Sequence, residues 1–277
     1  MHIIPPDPTR RARQLDAFGR LLDVLDTLRE QCPWDRKQTL QSLRHLTIEE
    51  TYELTDAILR DDLADLKKEL GDVMLHLVFY ARIAEEQGAF DIADVLNQQC
   101  EKLIFRHPHI YGDTKVNNEE DVKRNWEALK LQEKGTTSVL GGVPASLPAL
   151  VKAMRIQEKA RGAGFDWEER GQVWAKVQEE LAEFEREFNR PDAPFNEPLP
   201  DHLRAAATRE LGDVLFSLIN FARFLGLNPE EALERTNHKF IRRFQYLEAA
   251  ARAAGRSLTE MTLDEMEAHW QAAKTQE

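Results

Sequence analysis

The chain has 277 residues, 42% hydrophobic and 31% charged, with only 13 Gly and 12 Pro; punctuation this sparse excludes a β-sandwich or barrel, and the length leaves room for two medium domains. A count of 37 Lys+Arg against 49 Asp+Glu leaves a net charge of -12, which disfavours nonspecific attraction to nucleic acid or to an anionic membrane surface, so a polyanionic ligand would need metal ions. Two cysteines, Cys32 and Cys100, are too few and too far apart for a disulfide framework or a zinc site and suit a reducing cytoplasm.

The amino-terminal stretch carries Pro5, Pro6 and Pro8, then Arg10, Arg11 and Arg13, with no apolar run of signal-peptide character, so no export is expected. Residues 11–30 place Leu15, Phe18, Leu22, Leu25 and Leu28 at three-and-four spacing, which predicts one amphipathic helix. Further helices are predicted over 47–60, 62–87, 91–105 and 119–134, with Gly88 stopping the long one. The apolar runs 73–81 and 214–222 are about half of the ~20 residues a membrane span requires and read as buried core helices. Residues 135–148 hold Thr136, Thr137, Ser138, Gly141, Gly142 and Pro144, a turn-forming cluster that reads as a linker.

Downstream, Pro148 suits a first helical turn, and Gly162 and Gly164 end that helix before Phe165, Asp166 and Trp167. A helix over 171–189 precedes a loop at 190–200 with Pro191, Pro194, Pro198 and Pro200, a composition no helix interior sustains. The next helix spans 202–225. Asn228, Pro229, Glu230 and Glu231 form a strong start for one reaching Ala254 and stopping at Gly255, and Thr262 with Glu265 is a capping-box pattern for a last helix ending near Lys274. The expected organisation is a first helical repeat at 11–134, a linker at 135–147 and a second repeat at 148–277.

The repeat is explicit. Glu69-Leu70-Gly71-Asp72-Val73 recurs as Glu210-Leu211-Gly212-Asp213-Val214, and at the same offset of 141 Leu77, Ala81 and Arg82 recur as Leu218, Ala222 and Arg223. Upstream, Glu49, Glu50 and Glu53 recur as Glu179, Glu180 and Glu183 at an offset of 130, the proline-rich loop absorbing the difference. Trp34 with Trp167, and Lys102 and Arg106 with Lys239 and Arg243, flank this core in the same order. Glu50 and Glu53, or Glu69 and Asp72, project from one face of their helix about one turn apart, beside the apolar stripes that pack the bundle. Carboxylates gathered there repel one another unless cations lie between them, and oxygen-only ligands favour hard cations such as Mg²⁺ or Mn²⁺ that engage phosphates. A single E-x-x-E is most often a solvated helix face; its recurrence beside E-L-G-D-V favours a site. Gly71 and Gly212, inside helices where glycine costs about 1 kcal/mol relative to alanine, suggest close approach of a backbone or a ligand.

The pattern E-E-x-x-E, a gap, then E-x-x-D resembles the MazG family of all-α nucleoside triphosphate pyrophosphohydrolases, and the double copy is similar to its two-repeat bacterial members. The resemblance runs from Cys32-Pro33-Trp34-Asp35 to the last helix, through Arg106-His107-Pro108-His109, Gly164-Phe165-Asp166-Trp167, Asn237-His238-Lys239-Phe240 and Arg242-Arg243-Phe244. It implies an all-α fold of tandem duplicated helical-bundle repeats, a homodimer, Mg²⁺ dependence with Mn²⁺ as a substitute, and hydrolysis of nucleoside triphosphates to monophosphate and pyrophosphate. Position by position it implies Glu180, Glu183, Glu210 and Asp213 as metal ligands, with Glu50, Glu53, Glu69 and Asp72 as their first-repeat counterparts. It also implies Lys176, Lys239 and Arg243 as triphosphate contacts, with Lys239 and Arg243 stabilising the departing pyrophosphate, and Glu179 or Glu180 as the partner of the attacking water. Ala206 stands near a position where relatives carry a phosphate-facing lysine, leaving Arg204 and Arg209 as nearby cations. Phe105 stands opposite Arg242, thinning the basic set of the first repeat, so the second repeat is the expected catalytic one.

His76 lies four residues after Asp72, but its counterpart is Ser217, which favours a packing or outer-shell role over a ligand. His107 and His109 read as a structural turn. Trp34, Trp167 and Trp270 read first as anchors of the bundle, with stacking on a nucleobase as the alternative, and Trp270 as the candidate substrate contact. Two other functions remain: a nucleotide-binding or regulatory interaction protein without turnover, and a di-iron or di-manganese bundle, which expects Glu-x-x-His pairs absent from these acidic helices.

Overall fold

The computed structural model describes residues 7–118, 121–122, 125–126, 129, 138–190 and 198–276. Every element among them is helical, and the chain divides into two compact units, Met1–Lys134 and Gly135–Glu277. Among the described residues no helix is long and apolar enough to cross a membrane.

In the first unit α1 (Pro8–Gln31) starts on Asp7, whose Oδ1 accepts the Thr9 amide at 2.9 Å, with Pro8 in the first turn. A 3-10 turn, Asp35–Lys37, leads to α2 (Leu40–Leu59). That helix starts well before the expected residue 47. Thr39 and Ser42 cap each other reciprocally, Thr39 Oγ1 accepting the Ser42 amide at 3.1 Å and Ser42 Oγ the Thr39 amide at 2.9 Å; a serine performs here the task usually given to Glu or Gln.

The connection to α3 (Leu63–Glu86) is three residues, 60–62. It is tight because Asp61 turns left-handed at φ 53°, while the amides of Asp61 and Asp62 return to the carbonyls of Ile58 and Ala57 at 3.1 Å each. Asp62 then caps α3, its Oδ1 accepting from Ala64 and Asp65 at 3.0 Å. The result is an antiparallel hairpin closed over the fully buried Ala57. α4 (Ile92–Arg106) and α5 (Pro108–Tyr111) follow, and Gly88 stops α3 at φ 66° as expected.

Leu25 of α1, Leu43 of α2, and Val78, Phe79 and Ile83 of α3 form the core, with Phe18, Leu22, Leu46, Leu75 and Tyr80 packed against it. Each large side chain fully buried there contributes about 1.5–3 kcal/mol. Arg29 locks α1 to the end of α3 through a fork–fork pair with Glu86, both N–O distances 2.9 Å, and donates to the Gln38 carbonyl at 3.1 Å. His107 Nδ1 meets the Leu103 carbonyl at 2.6 Å, and its ring lies 5.6 Å from that of His109, a turn capped by backbone bonding. The helix expected over 119–134 lies mostly outside the described residues.

The second unit contains α6 (Ala149–Gly162), α7 (Arg170–Phe188), α8 (Asp201–Phe224), α9 (Pro229–Ala253) and α10 (Leu263–Lys274). α7 and α8 form the counterpart hairpin, burying Val173, Val177, Leu203, Ala207 and Val214; of the proline-rich connection, residues 191–197 lie outside the described residues. Gln157 of α6 donates to the Phe216 carbonyl at 2.7 Å. Arg223 of α8 holds Asp166 through two bonds, one of 2.9 Å, and also donates to Asn220 Oδ1 at 2.8 Å. Asn228 and Thr262 cap α9 and α10, the latter in the expected box with Glu265.

Candidate active site

Each hairpin gathers carboxylates across its two helices. In the first, Glu50 of α2 meets Glu69 and Asp72 of α3; in the second, Glu180 of α7 meets Glu210 and Asp213 of α8. One carboxylate oxygen from each residue of a triad lies within 4.8 Å of the others. The helix period puts Glu69 and Asp72 on one face of α3, and the hairpin turns that face toward α2.

Glu69 is 2% exposed; its Oε1 accepts from Lys68 Nζ at 2.7 Å, and its Oε2 is buried with no hydrogen-bond partner among the described residues. Burial pushes the Glu50 carboxyl above its ordinary value, and the charges of Asp72, Glu53, Glu69 and Glu49 push it further. In the second unit Lys176 Nζ bridges Glu179 and the buried Glu180 at 2.9 and 2.7 Å, and these bonds raise its pKa.

The donor set fits a hard divalent cation. All ligand atoms are carboxylate oxygens, three of them lie within 4.8 Å of one another, and one triad residue, Glu69, carries a buried oxygen with no hydrogen-bond partner among the described residues.

Glu53 and Glu183 stand outside the triads. Each lies one turn nearer the connection of its hairpin; Glu53 is exposed, and Glu183 accepts from Arg186 at 3.1 Å. His76 is buried, its Nδ1 without a partner among the described residues, and burial lowers its pKa against the opposing charge of Asp72. It belongs to neither triad.

A second group lies on α9 and α10. The Arg243 guanidinium sits 5.7 Å from the centre of the Trp270 ring, and Phe240 packs against Trp270 at 5.0 Å. Beside it Arg242, Arg243, Tyr246, Ala273 and Gln276 line a cleft of about 390 Å³. Lys239 is half-buried on the same helix.

Lys68, Tyr246 and Gln276 are site features the sequence reading did not single out. The adjacency of Lys68 to Glu69 was the available signal; nothing along the chain marks Gln276 as a neighbour of Tyr246, whose hydroxyl accepts from its carboxamide at 3.2 Å. Among the described residues no other backbone approaches Gly71 or Gly212. A Cβ built on either meets no atom within 4 Å.

Comparison with known proteins agrees with this geometry. The MazG nucleotide pyrophosphohydrolase domain matches residues 38–111 and 171–247, once over each hairpin. The chain is 40% identical over 269 residues to a nucleoside triphosphate pyrophosphohydrolase of Escherichia coli (strain K12), covering 95% of this chain and 99% of that protein. It is 41% identical over 261 residues to the nucleoside triphosphate pyrophosphohydrolase/pyrophosphatase MazG of Thermotoga maritima, covering 93% of this chain and 95% of that one. An uncharacterized Bacillus subtilis protein, YabN, is 47% identical over 264 residues, 94% of this chain and 52% of its own length. With a family match on both repeats and relatives aligned from end to end, the chain belongs to the MazG nucleotide pyrophosphohydrolase family.

Proposed function

We propose that this protein hydrolyses nucleoside triphosphates, ATP among them, to monophosphate and pyrophosphate with Mg²⁺ as cofactor and Mn²⁺ as a substitute, and that the second repeat carries the reaction. The observation that carries this reading is the pair of all-oxygen triads at equivalent places of a duplicated hairpin, in a chain of this family. Glu180, Glu210 and Asp213 hold the metal, with Glu183 joining from one turn away; Glu50, Glu69 and Asp72, with Glu53, are the first-repeat set. When bound, the metal supplies positive charge to the phosphoryl oxygens and a more acidic water.

The chain's own residues do the rest. Glu179 or Glu180 orients the attacking water and takes its proton as the oxygen bonds to the α-phosphorus. The bridging α–β P–O bond breaks and its electron pair leaves on pyrophosphate. Lys239 and Arg243 neutralise that leaving charge, Lys176 adds a third cation, and Trp270, beside Arg243, offers a face to the base.

Aberrant nucleotides are a suitable physiological target for a site that recognises the triphosphate more than the base. The free thiols of Cys32 and Cys100 suit the cytoplasm. Exposed Leu70, Met74 and Leu77 on α3, and Leu211, Leu215 and Phe216 on α8, favour a homodimer that covers them; light scattering during gel filtration measures it. Phosphorus NMR of ATP turnover tests the reaction, with Glu183→Ala expected to abolish pyrophosphate release and Glu53→Ala to retain it. Diphosphate plus phosphate as products refutes the cleavage position, and nucleotide binding without products refutes turnover.

A further inference from the structure

The two triads differ in the cation already inside them. In the second repeat Lys176, one turn before Glu179 and Glu180 on α7, is held by both carboxylates at 2.9 and 2.7 Å, against a Glu180 that is 7% exposed. Its first-repeat counterpart, at the offset of 130, is Leu46, which packs on the hydrophobic core. There the lysine comes instead from α3. Lys68 touches a single oxygen of Glu69, its own side chain is 63% exposed, and the other buried oxygen of Glu69 has no hydrogen-bond partner among the described residues. Arg209, the counterpart of Lys68, forms no ion pair among the described residues.

We infer that Lys176 is a tethered counter-cation of the second triad, displaced from Glu180 when a divalent cation binds, and that the first triad, whose more exposed lysine holds only one carboxylate, takes the cation first. A cation entering the second triad competes with an ammonium bonded to one of its ligands, so part of its electrostatic gain replaces an attraction already present. In the first triad it competes only with Lys68, whose largely exposed ammonium holds a single oxygen of Glu69, so less of its gain is offset. Displacement also gives Lys176 its place in the reaction. Released from Glu180 but tethered one turn away, its three N–H donors are free for a phosphate only after the metal has arrived, which makes metal and nucleotide binding in the second repeat mutually favourable.

The inference rests on the triads being the metal sites proposed above, and one experiment separates the two. Free Mn²⁺ is followed by electron paramagnetic resonance during titration of the full chain without nucleotide, in Glu69→Gln protein to isolate the second site and in Glu210→Gln protein to isolate the first. Circular dichroism melts establish that both variants fold. The expected result is tighter binding to the first site than to the second. Adding Lys176→Met to the Glu69→Gln background tightens the second site on the order of tenfold, and the gain survives raised salt because a contact pair is poorly screened. Arg209→Met, the same charge change in the same repeat without the contact, gives less than about twofold, and less again in salt. Equal affinity of the two sites, or equal effects of Lys176→Met and Arg209→Met, overturns the role of Lys176 while leaving the metal sites standing. No Mn²⁺ bound in either background overturns the sites themselves, and the inference with them.

Discussion

Replacing Glu69 by Gln is expected to stabilise the metal-free protein although it alters a buried residue. With the triad oxygens within 4.8 Å of one another, each like-charge pair costs roughly 1 kcal/mol at the dielectric of water and ~3.5 kcal/mol at an effective value of about 20. Glu69 takes part in two such pairs, with Glu50 and Asp72. Neutralising it gives up one attraction, to the largely exposed Lys68 at 2.7 Å, worth about 1 kcal/mol or less. Because Glu50 and Asp72 are only half-buried, the lower part of the range applies, and the balance is a gain of about 1–3 kcal/mol, or ~3–10 °C in melting temperature for a chain of this size. Calorimetric melts in chelator and in excess Mg²⁺ provide the measurement. In chelator the variant melts above wild type; in Mg²⁺ the wild type rises, as any ligand of the native state requires, and its advantage reappears. A variant that melts below wild type in chelator would falsify the account, since it would mean that the carboxylate of Glu69 is a net stabilising charge without metal.

Asp61, the one described non-glycine residue at positive φ, makes Asp61→Gly stabilising by about 0.5 kcal/mol and Asp61→Val destabilising by more than ~1 kcal/mol; equal melting temperatures for the two would show that the left-handed turn carries no strain. Arg223→Met leaves Asp166, 20% exposed, without its forked partner, and is expected to cost about 2–4 kcal/mol in urea unfolding, with Asp166→Asn adding little on top; full additivity would show that the pair acts separately. The Arg29 hydrogen bond holds the Glu86 carboxyl below its ordinary value of 4.5. A depressed carboxylate stabilises fully above the unfolded pKa and loses its contribution as pH falls through the lower folded value. Glu86→Gln therefore flattens the acid limb of the stability curve below about pH 4.5, and an unchanged limb would show that the pair is energetically idle.

Much of this was readable along the chain because the rules involved are local. Gly88 and Gly255 stop helices where a left-handed residue ends the i to i−4 ladder, and Thr262 with Glu265 caps α10 with side chains three residues apart. Where a local rule was written too narrowly the boundary moved: Ser42 in place of an acid hid the cap that starts α2 at Leu40. The candidate metal residues were legible for the same reason, since one-turn spacing puts Glu69 and Asp72 on a common face. Gly71 differs: among the described residues nothing approaches it, so no backbone of its own chain accounts for a glycine there.

By itself the sequence determined the helical class and the duplication, properties of periodicity and of residues compared with their own copy; it also carried the motifs by which the chain resembles its family, and it singled out four candidate acids in each repeat. Which three of those acids converge was decided by the hairpin. The rotation of α2 against α3 brings Glu50 level with Glu69 and Asp72 and leaves Glu53 a turn closer to the connection. The same holds for the cations: a lysine reaches any partner within the length of its flexible stem, and only packing made Glu180 and Glu69, the carboxylates that Lys176 and Lys68 hold, buried ones. Burial is a property of packed helices and is not written at any one position.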